Sequence, residues 1–356
     1  MESHPRRRIL VWHVHGSWMD AFVRGPHDSL LPVTDDRGAW GRGRCGRPWP
    51  ERARDVPVRD LRSTAIDAVV LQRPEELELV ERWTGRRPGS DLPAVFVEHN
   101  APRGSAAWSR HPLAERYDIP IVHVTHFNAL MWDCGAAPTR VIEHGVPDPG
   151  HLYSGELPRA AVVINEPVRR WRTVGADLLP RFAAAVPLDV YGMGTSGLGR
   201  VDFVRSAPAE PDRPDTAPHD FRVHGDLDTS SLHKAMARRR LYLHSTRWTS
   251  LGIALVEAMM LGMPIVAAAT TAAPHSVPED AGVVSADLDA LVTAATRLAA
   301  DPALAYEAGA AARDHALAHF GLDRFLADWD ALWDSVAPRP RVSEPAPTPV
   351  STGGDR

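Results

Sequence analysis

The sequence predicts an α/β fold with two lobes, each a doubly wound parallel sheet covered by helices. Short apolar runs with strand character alternate along the chain with segments of helical periodicity, an order typical of βαβ units. The segment 241–269 is the most compact case, because a helix lies there between two apolar runs and ends at Gly262 and Pro264. A length of 356 residues suits two domains of roughly 150 residues each.

Composition argues against several classes of function. A net charge of −5 and a hydrophobic fraction of 44% indicate neither a nucleic-acid partner nor a membrane surface. No apolar run approaches the ~20 residues that span a bilayer, and the first apolar stretch is too short for a signal peptide. Cys45 and Cys134 are far apart, which argues against a disulfide framework or a structural zinc site. We therefore expect a cytoplasmic protein without a transmembrane segment.

Basic residues are almost all arginine. Lys234 is the only lysine among the 40 Lys and Arg residues. Any anion site must therefore use arginine, histidine or backbone N–H groups.

In the first half of the chain, candidate site residues follow predicted strands. Gly16 follows the first apolar run and leaves room for the backbone to approach a phosphate. His99 follows the strand at 93–97, and polar residues at the carboxyl end of such a strand face the cleft; the alternative is a structural histidine. A loop predicted at 35–55 has the length of a binding loop or lid. The strands predicted here are 8–14, 66–71, 93–97, 121–124 and 139–143, with helices at 19–23 and 75–83 and after 126.

Two sets of residues invite a metal interpretation that their surroundings do not favour. His13 and His15, with His123 and His126, lack a carboxylate or cysteine at a recognisable ligand spacing. Asp-x-Asp pairs at 226/228 and 287/289 each lie where a helix begins, so helix capping is the favoured role. We predict no metal site.

The second half contains a cluster of arginines directly after a strand. Arg169, Arg170 and Arg172 follow the apolar run 161–165, with Gly175 and a predicted helix after them. This order is typical of an anion-binding corner, and a solvated basic loop is the alternative. The remaining predicted strands are 188–191, 221–223, 241–243, 265–269 and 281–284, and the predicted helices are 177–185, 232–240, 287–300, 302–320 and 323–336; residues 207–219 are predicted to form a loop.

The helix after strand 241–243 is the most informative segment. Thr249 or Ser250 is predicted to cap its first turn, and the free N–H groups of such a helix point into the crevice of the sheet. Glu257 is predicted about two turns into this otherwise apolar helix. It either forms hydrogen bonds in the crevice or faces water at its rim, and spacing alone leaves both interpretations open.

Residues 249–267 carry a resemblance to a known family. They are T-S-L-G-I-A-L-V-E-A-M-M-L-G-M-P-I-V-A, which resembles the donor-binding motif E-x-F-G-L-x-x-x-E-A-M-A-x-G-x-P-V-V-A of retaining GT-B glycosyltransferases of family 4. The second glutamate of that motif matches Glu257, whereas Thr249 stands in place of the first. The chain is most similar to actinobacterial members of this family with unassigned substrates.

Weaker matches extend the resemblance from about Arg8 to Val336. Residues 165–179 resemble the family's phosphate corner, with Arg169 on its arginine and Val174 on its lysine. Residues 144–148 resemble the turn that closes the first lobe. His99 matches the cleft histidine, and Gly16 matches the phosphate-facing glycine. The resemblance implies an acceptor lobe at 1–155, a nucleotide-sugar lobe at 156–319, a helix at 320–336 that crosses back to the first lobe, and a disordered tail at 337–356.

The resemblance also implies roles for individual residues. Glu257 would bind the ribose of a nucleotide-diphosphate sugar, and Arg169 would stabilise the leaving diphosphate without a metal or other cofactor. His99 would contact the donor sugar, which would move to a hydroxyl acceptor with retention of configuration. The other donor-binding residues implied are Gly16, Arg170, Arg172, Thr249, Ser250, Leu251 and Gly252.

Two departures from the family pattern motivate an alternative. Thr249 is uncharged, and Val174 removes one positive charge unless Arg172 replaces it. A degenerate, non-catalytic GT-B protein that binds a nucleotide sugar or a partner is therefore the second hypothesis. A pyridoxal-dependent phosphorylase is disfavoured, because Lys234 lies in a helical stretch unlike a cofactor-lysine site, and a nicotinamide oxidoreductase would need a Gly-rich fingerprint.

Overall fold

A computed structural model describes residues 6–200 and 221–337, apart from the side chains of residues 199 and 200. The predicted loop 207–219 and the predicted tail beyond Ala337 lie outside these residues. The strands are β1 Arg8–Val11, β2 Asp28–Val33, β3 Ala53–Pro57, β4 Ala68–Leu71, β5 Ala94–Glu98, β6 Ile121–His123, β7 Thr139–Val141, β8 Leu157–Val163, β9 Leu188–Tyr191, β10 Phe221–Gly225, β11 Arg239–His244, β12 Ile265–Ala268 and β13 Gly282–Ser285. The α-helices are α1 Gly16–Phe22, α2 Glu76–Thr84, α3 His126–Met131, α4 Leu179–Ala183, α5 Thr229–Ala237, α6 Ile253–Leu261, α7 Ala273–Ser276, α8 Leu288–Ala300, α9 Pro302–Phe320 and α10 Leu322–Val336.

The described strands form two parallel sheets, which confirms the predicted fold class. The first sheet has the order β3-β2-β1-β4-β5-β6-β7, and the second has the order β10-β9-β8-β11-β12-β13. In each sheet the chain winds outward in one direction and then in the other, so the order reverses between β1 and β4 and between β8 and β11. Ligands of open α/β sheets bind outside the carboxyl ends of the strands at such a reversal.

The edge of the first sheet differs from the prediction. Strands β2 and β3 were not predicted, and β3 takes the last residues of the loop predicted at 35–55. Strand β2 contains Pro32, and β3 ends at Pro57 and exposes Arg54 and Asp55. Strand β3 is the edge strand and β2 lies between β3 and β1, and the proline in each gives a weak strand pattern. Strand β1 ends at Val11, so His13 and His15 lie in the following loop rather than in a strand.

The beginning of helix α6 also differs from the prediction. The helix begins at Ile253 with Gly252 as its N-cap, and neither Thr249 nor Ser250 caps it. Glu257 therefore lies about one turn into the helix, not two. The helix ends as predicted, because Gly262 takes a left-handed conformation with φ 90° at the C-cap.

The two Asp pairs act in helix capping, as predicted. The carboxylate of Asp228 accepts a hydrogen bond from the backbone N–H of Ser231 at the start of α5. The carboxylate of Asp287 accepts hydrogen bonds from the N–H groups of Asp289 and Ala290 at the start of α8. Each pair thus supplies one cap.

Helix α10 returns to the first lobe. Phe325, Trp329, Leu332 and Trp333 are buried with the first sheet and helix α1. The ring of Trp329 meets those of Trp18 and Phe22 edge to face, with centroids 5.8 and 5.1 Å apart. The second lobe is thereby attached to the first at the end of the described chain. Within the described ranges, no helix is both long enough and apolar enough to cross a bilayer.

Replacing Trp329 with alanine tests this attachment. We expect Trp329→Ala to lower the free energy of unfolding by about 3–5 kcal/mol, because it leaves a large cavity between α10 and α1. The matched control is Trp108→Ala, since Trp108 is 89% exposed and its loss should cost less than about 0.5 kcal/mol. Urea denaturation of both variants measures the difference, and equal costs would contradict the packing described.

Candidate functional site

Two loops at the carboxyl ends of β8 and β11 are packed tightly together in the second lobe. Gly175 has φ 69°, and a Cβ atom there would lie 1.9 Å from the carbonyl oxygen of Ser245. Any side chain at this position would force the loops apart. The hydroxyl of Ser245 donates to the carbonyl of Val174 at 2.9 Å. Val174 itself is buried among apolar residues, so the position that departs from the family's lysine belongs to the core.

An ion pair also joins the two loops. The guanidinium of Arg247 binds both carboxylate oxygens of Asp177, with Nη2 2.9 Å from Oδ2. Arg172 binds the same carboxylate at 2.9 Å and leaves three-quarters of its side chain exposed. One carboxylate thus faces two guanidinium groups, and this side of the crevice has an excess of positive charge. Arg172 is engaged here and does not extend toward the position of Val174.

Arg169 and Arg170 form the other part of this corner. The Nε atom of Arg169 lies 3.8 Å from a carboxylate oxygen of Glu166, and 72% of the Arg169 side chain is exposed. Glu166 has a positive φ of 54°. Burial and the neighbouring charge of Arg169 lower the pKa of the half-buried Arg170. The exposure of Arg169 is compatible with both the anion-binding and the solvated-loop interpretations.

Glu257 is a buried carboxylate without a hydrogen-bond partner. The residue is 8% exposed, which favours the crevice interpretation over a side chain that faces water at the rim. Its closest described partner is His233 on α5, whose Nε2 lies 3.7 Å from Oε2. In the part of the chain that the structure describes, no donor lies within hydrogen-bonding distance of this carboxylate. Buried carboxylates are costly unless they are paired, so this group is typical of a ligand-binding position.

The loop before α6 contacts the first lobe. The indole N–H of Trp248 donates to the carbonyl of Pro102 at 2.7 Å. The hydroxyls of Ser250 and Thr125 lie 3.4 Å apart, and both residues are buried. Thr249 is half-buried between these two contacts. The loop therefore lies at the junction of the two lobes.

Leu251 and Gly252 complete this loop. The side chain of Leu251 is buried in the core that contains α6, so only its backbone can face a ligand. Gly252 precedes the nine residues of α6 and carries no side chain. The first backbone N–H groups of this helix lack partners within the helix itself.

His99 lies in the first lobe with a fixed orientation. Its Nε2 atom lies 3.0 Å from the amide oxygen of Gln72, and the amide nitrogen of Gln72 donates to the carbonyl of Trp12 at 2.7 Å. Because the amide oxygen only accepts, Nε2 of His99 carries the proton. Its Nδ1 is then the hydrogen-bond acceptor.

Two further histidines surround His99. The rings of His15 and His99 lie 4.1 Å apart. His144 lies near them, since its charge acts on His99 and that of His15 acts on it. Burial lowers the pKa of His15 to about 4 and that of His144 to about 3, and it holds the pKa of His99 well below its ordinary value. The first lobe therefore presents a layer of neutral imidazoles to the cleft near pH 7.

Sequence reasoning missed several of these residues. Arg247, Trp248 and Thr125 each follow the carboxyl end of a strand, which is the signal that could have found them. Gln72 directly follows β4 and His144 follows β7, so the same signal could have found them. The metal interpretation of the histidines gains no support, because in residues 6–200 and 221–337 no group of three or more His, Cys, Asp or Glu side chains could hold a metal ion.

Gly16 lies at the first turn of α1, after the loop that contains His13 and His15. Its closest neighbour is the guanidinium of Arg47: a Cβ atom on Gly16 would lie 2.9 Å from Nη2 of Arg47. The structure thus gathers the predicted residues into two groups. Gly16 and His99 lie on the first lobe, and Arg169, Arg170, Arg172, Thr249, Ser250, Leu251, Gly252 and Glu257 lie on the second.

Comparison with known proteins finds a family match within the second lobe. Residues 179–301 match the family model described as glycosyl transferases group 1. None of the curated protein sequences compared with the chain matches it.

Solved structures match almost the whole chain. A sucrose-phosphate synthase from Thermosynechococcus elongatus is 15% identical, with a TM-score of 0.66 over 93% of this chain and 99% of that one. HepE from Anabaena, in complex with UDP-glucose, is 16% identical, with a TM-score of 0.66 over 93% and 100%. A glycosyltransferase from Rickettsia africae is 12% identical, with a TM-score of 0.64 over 95% and 100%. These likenesses confirm the predicted GT-B fold.

The neutral histidine layer predicts a loss of stability in acid. Unfolded histidines bind protons near pH 6.5, whereas His15 and His144 do so only near pH 4 and 3 in the folded chain. Unfolding therefore takes up protons between these values, and the free energy of unfolding falls as the pH falls from 6.5 to about 4. His15 alone contributes on the order of 3 kcal/mol over this range.

Chemical denaturation at a series of pH values measures this effect. We expect His15→Asn to reduce the slope between pH 6.5 and 4, while the control His151→Asn, at an exposed histidine, leaves the slope unchanged. An unaltered slope in His15→Asn would show that the layer is not kept neutral by folding.

Proposed function

We propose that this chain is a retaining, metal-independent glycosyltransferase that moves a sugar from a nucleotide-diphosphate sugar to a hydroxyl acceptor. The observation that carries the proposal is the carboxylate of Glu257, buried and without a hydrogen-bond donor among the described residues. It lies in the segment that matches glycosyl transferases group 1. The GT-B fold that the chain shares with HepE, whose structure contains UDP-glucose, supports the same assignment.

Glu257 accepts hydrogen bonds from the ribose hydroxyls of the nucleotide sugar. An ionised carboxylate has two oxygens with free lone pairs and suits a vicinal diol. The nearby His233 does not form a hydrogen bond with Glu257, because its Nε2 lies 3.7 Å from Oε2. Binding of the ribose thus supplies the partner that the folded chain alone does not provide.

The diphosphate lies against the corner after β8 and the beginning of α6. Arg169 and Arg170 neutralise the negative charge that develops on the leaving diphosphate, and the N–H groups near Leu251 and Gly252 bind its oxygens. Arg172 and Arg247 add positive charge through their shared partner Asp177. These cations neutralise the diphosphate, which a metal ion does in metal-dependent enzymes.

The first lobe orients the sugar through His99. Its neutral ring presents Nδ1 as an acceptor for a sugar hydroxyl, because Nε2 is held by Gln72. Thr249, at the junction of the lobes, offers a hydroxyl to the same sugar. The acceptor hydroxyl attacks the anomeric carbon on the face that the diphosphate leaves, so the configuration is retained.

A second candidate is a non-catalytic protein that binds a nucleotide sugar. The observation that favours it is the burial of Val174 in the core, which removes the lysine expected by resemblance at the phosphate corner. Under this hypothesis the chain binds the donor but consumes none of it. Both candidates therefore predict binding of the nucleotide sugar, but only the first predicts that it is consumed.

Donor binding is the first test of the proposal. In a thermal-shift screen of UDP-, GDP-, ADP- and dTDP-sugars, one donor at 100 times its dissociation constant should add about 2.7 kcal/mol of stability. Glu257→Ala should weaken binding of that donor about 10- to 100-fold through loss of charge-assisted hydrogen bonds. The control Glu307→Gln removes an exposed carboxylate on α9 and should bind normally. Undiminished binding by Glu257→Ala would refute its role.

Arg169→Ala separates binding from chemistry. Because Arg169 stabilises charge that develops only on the leaving group, we expect the turnover number to fall about 100- to 1000-fold while the donor dissociation constant changes little. The control Arg181→Ala removes a half-buried arginine elsewhere on the second lobe, which pairs with Asp289. Nucleoside diphosphate release measures turnover, and a normal rate in Arg169→Ala would exclude its assigned role.

A further inference from the structure

The loop between β2 and β3 places Arg47 beside the first-lobe glycine. A Cβ atom on Gly16 would lie 2.9 Å from Nη2 of Arg47 and 3.8 Å from Nε2 of His13, so these groups lie close together. The charges of Arg42 and Arg47 both act on His13. We call the surface formed by His13, Gly16, Arg42 and Arg47 the Arg47 pocket.

The positive charge of the Arg47 pocket is uncompensated. Within residues 6–200 and 221–337, the guanidinium groups of Arg42 and Arg47 form no ion pair, and both residues are exposed. The carboxylate whose charge acts on His13 belongs to Asp55. That carboxylate already accepts from the N–H of Arg44 at 2.7 Å and pairs with Arg37 at 3.5 Å.

His13 adds a buried and directed acceptor to the pocket. The residue is 8% exposed, and its Nδ1 lies 3.0 Å from the carbonyl oxygen of Gly43. Since a carbonyl only accepts, Nδ1 carries the proton and Nε2 holds a free lone pair. Burial, followed by the charges of Arg47 and Arg42, lowers the pKa of His13, so the ring stays neutral. Nε2 can accept a hydrogen bond from a hydroxyl next to the two guanidinium groups.

We propose that the Arg47 pocket binds the acceptor substrate and selects one that carries an anionic group, a phosphate monoester or a carboxylate, beside its hydroxyls. The inference rests on the proposed function. Arg47 and Arg42 bind the anion, for which the planar guanidinium fork is well suited. Nε2 of His13 accepts a hydrogen bond from an adjacent hydroxyl of the same molecule.

The position of the pocket favours the acceptor over the donor. The contacts that join the lobes at the cleft involve the loops after β5 and β6, through Pro102 and Thr125. The Arg47 pocket instead follows β1 and β2, and the second lobe supplies its own cations for the donor. Phosphate could nonetheless come from either substrate, so the experiment includes both sources.

Cys45, two residues from Arg47, reports on occupancy of the pocket. Cys45 is exposed and Cys134 is buried, and they are the only cysteines of the chain. The rate of Cys45 alkylation by neutral iodoacetamide, followed by intact mass, is measured with glucose 6-phosphate, glucuronate, glucose or UDP at constant ionic strength. We expect glucose 6-phosphate, glucuronate or both to slow alkylation and glucose to have no effect.

Arg47→Ala should raise the concentration of the protecting anion needed for half-maximal protection about tenfold, as for the loss of one charge-assisted hydrogen bond. The matched control is Arg62→Ala, because Arg62 lies beside Gly85 at the far end of α2 and should leave protection unchanged. Three results would overturn the proposal. Glucose protects Cys45 as well as the anions do, neither anion protects it, or Arg47→Ala leaves the protection unchanged. An effect of Arg47→Ala on protection by UDP alone would assign the pocket to the donor and also overturn it.

Stabilisation by a nucleotide sugar distinguishes this inference from the proposed function. Arg47→Ala should retain the thermal stabilisation that the donor gives to the wild-type chain. If Arg47→Ala loses protection of Cys45 by the anion but is still stabilised by the nucleotide sugar, the acceptor pocket is supported. Donor stabilisation of the wild type without anion protection contradicts the pocket and leaves the glycosyltransferase assignment standing.

Discussion

The second-lobe crevice depends on the close approach of the loops after β8 and β11. Gly175 allows this approach, because any side chain there would collide with the carbonyl of Ser245. The ion pair of Asp177 with Arg247 joins the same region of the two loops. Their separation sets where Arg169 lies relative to the beginning of α6. The charge and the helix end of the proposed donor site are thus positioned by this backbone contact and this ion pair.

The two lobes offer different chemistry to the cleft. The second lobe supplies positive charge, through arginines that outnumber their carboxylate partners, together with the buried carboxylate of Glu257. The first lobe supplies the neutral rings of His15, His99 and His144, which burial keeps unprotonated. Neutral acceptors suit sugar hydroxyls, whereas cations suit phosphate. The Arg47 pocket is the exception, since it brings cations to the first lobe.

Sequence patterns predicted most of the central strands and the long helices, because these elements bury continuous apolar faces. They failed at β2 and β3, the outermost pair of strands of the first sheet, because a proline in each weakens the strand pattern. They also failed at the start of α6, where residues 245–252 are held by the neighbouring loop rather than by helical hydrogen bonds. Local capping preference was outweighed there by tertiary contacts.

The candidate site was predictable only in part for a similar reason. Strand ends and family spacing pointed to Glu257 and Arg169, but spacing could not tell a buried carboxylate from one at the rim. The pairing of Arg247 with Asp177 joins residues far apart in sequence. The contact of Ser250 with Thr125 joins two lobes. Neither follows from a local pattern, because each depends on how separately folded elements meet.

The most direct test of the central claim is to follow the anomeric proton of the donor sugar by NMR. The wild-type chain is incubated with the nucleotide sugar that stabilises it and with an anionic sugar acceptor. The account predicts that the anomeric signal of the donor disappears and that a new glycoside signal of the same configuration replaces it. A donor that binds but is never consumed, or a product of inverted configuration, would contradict it.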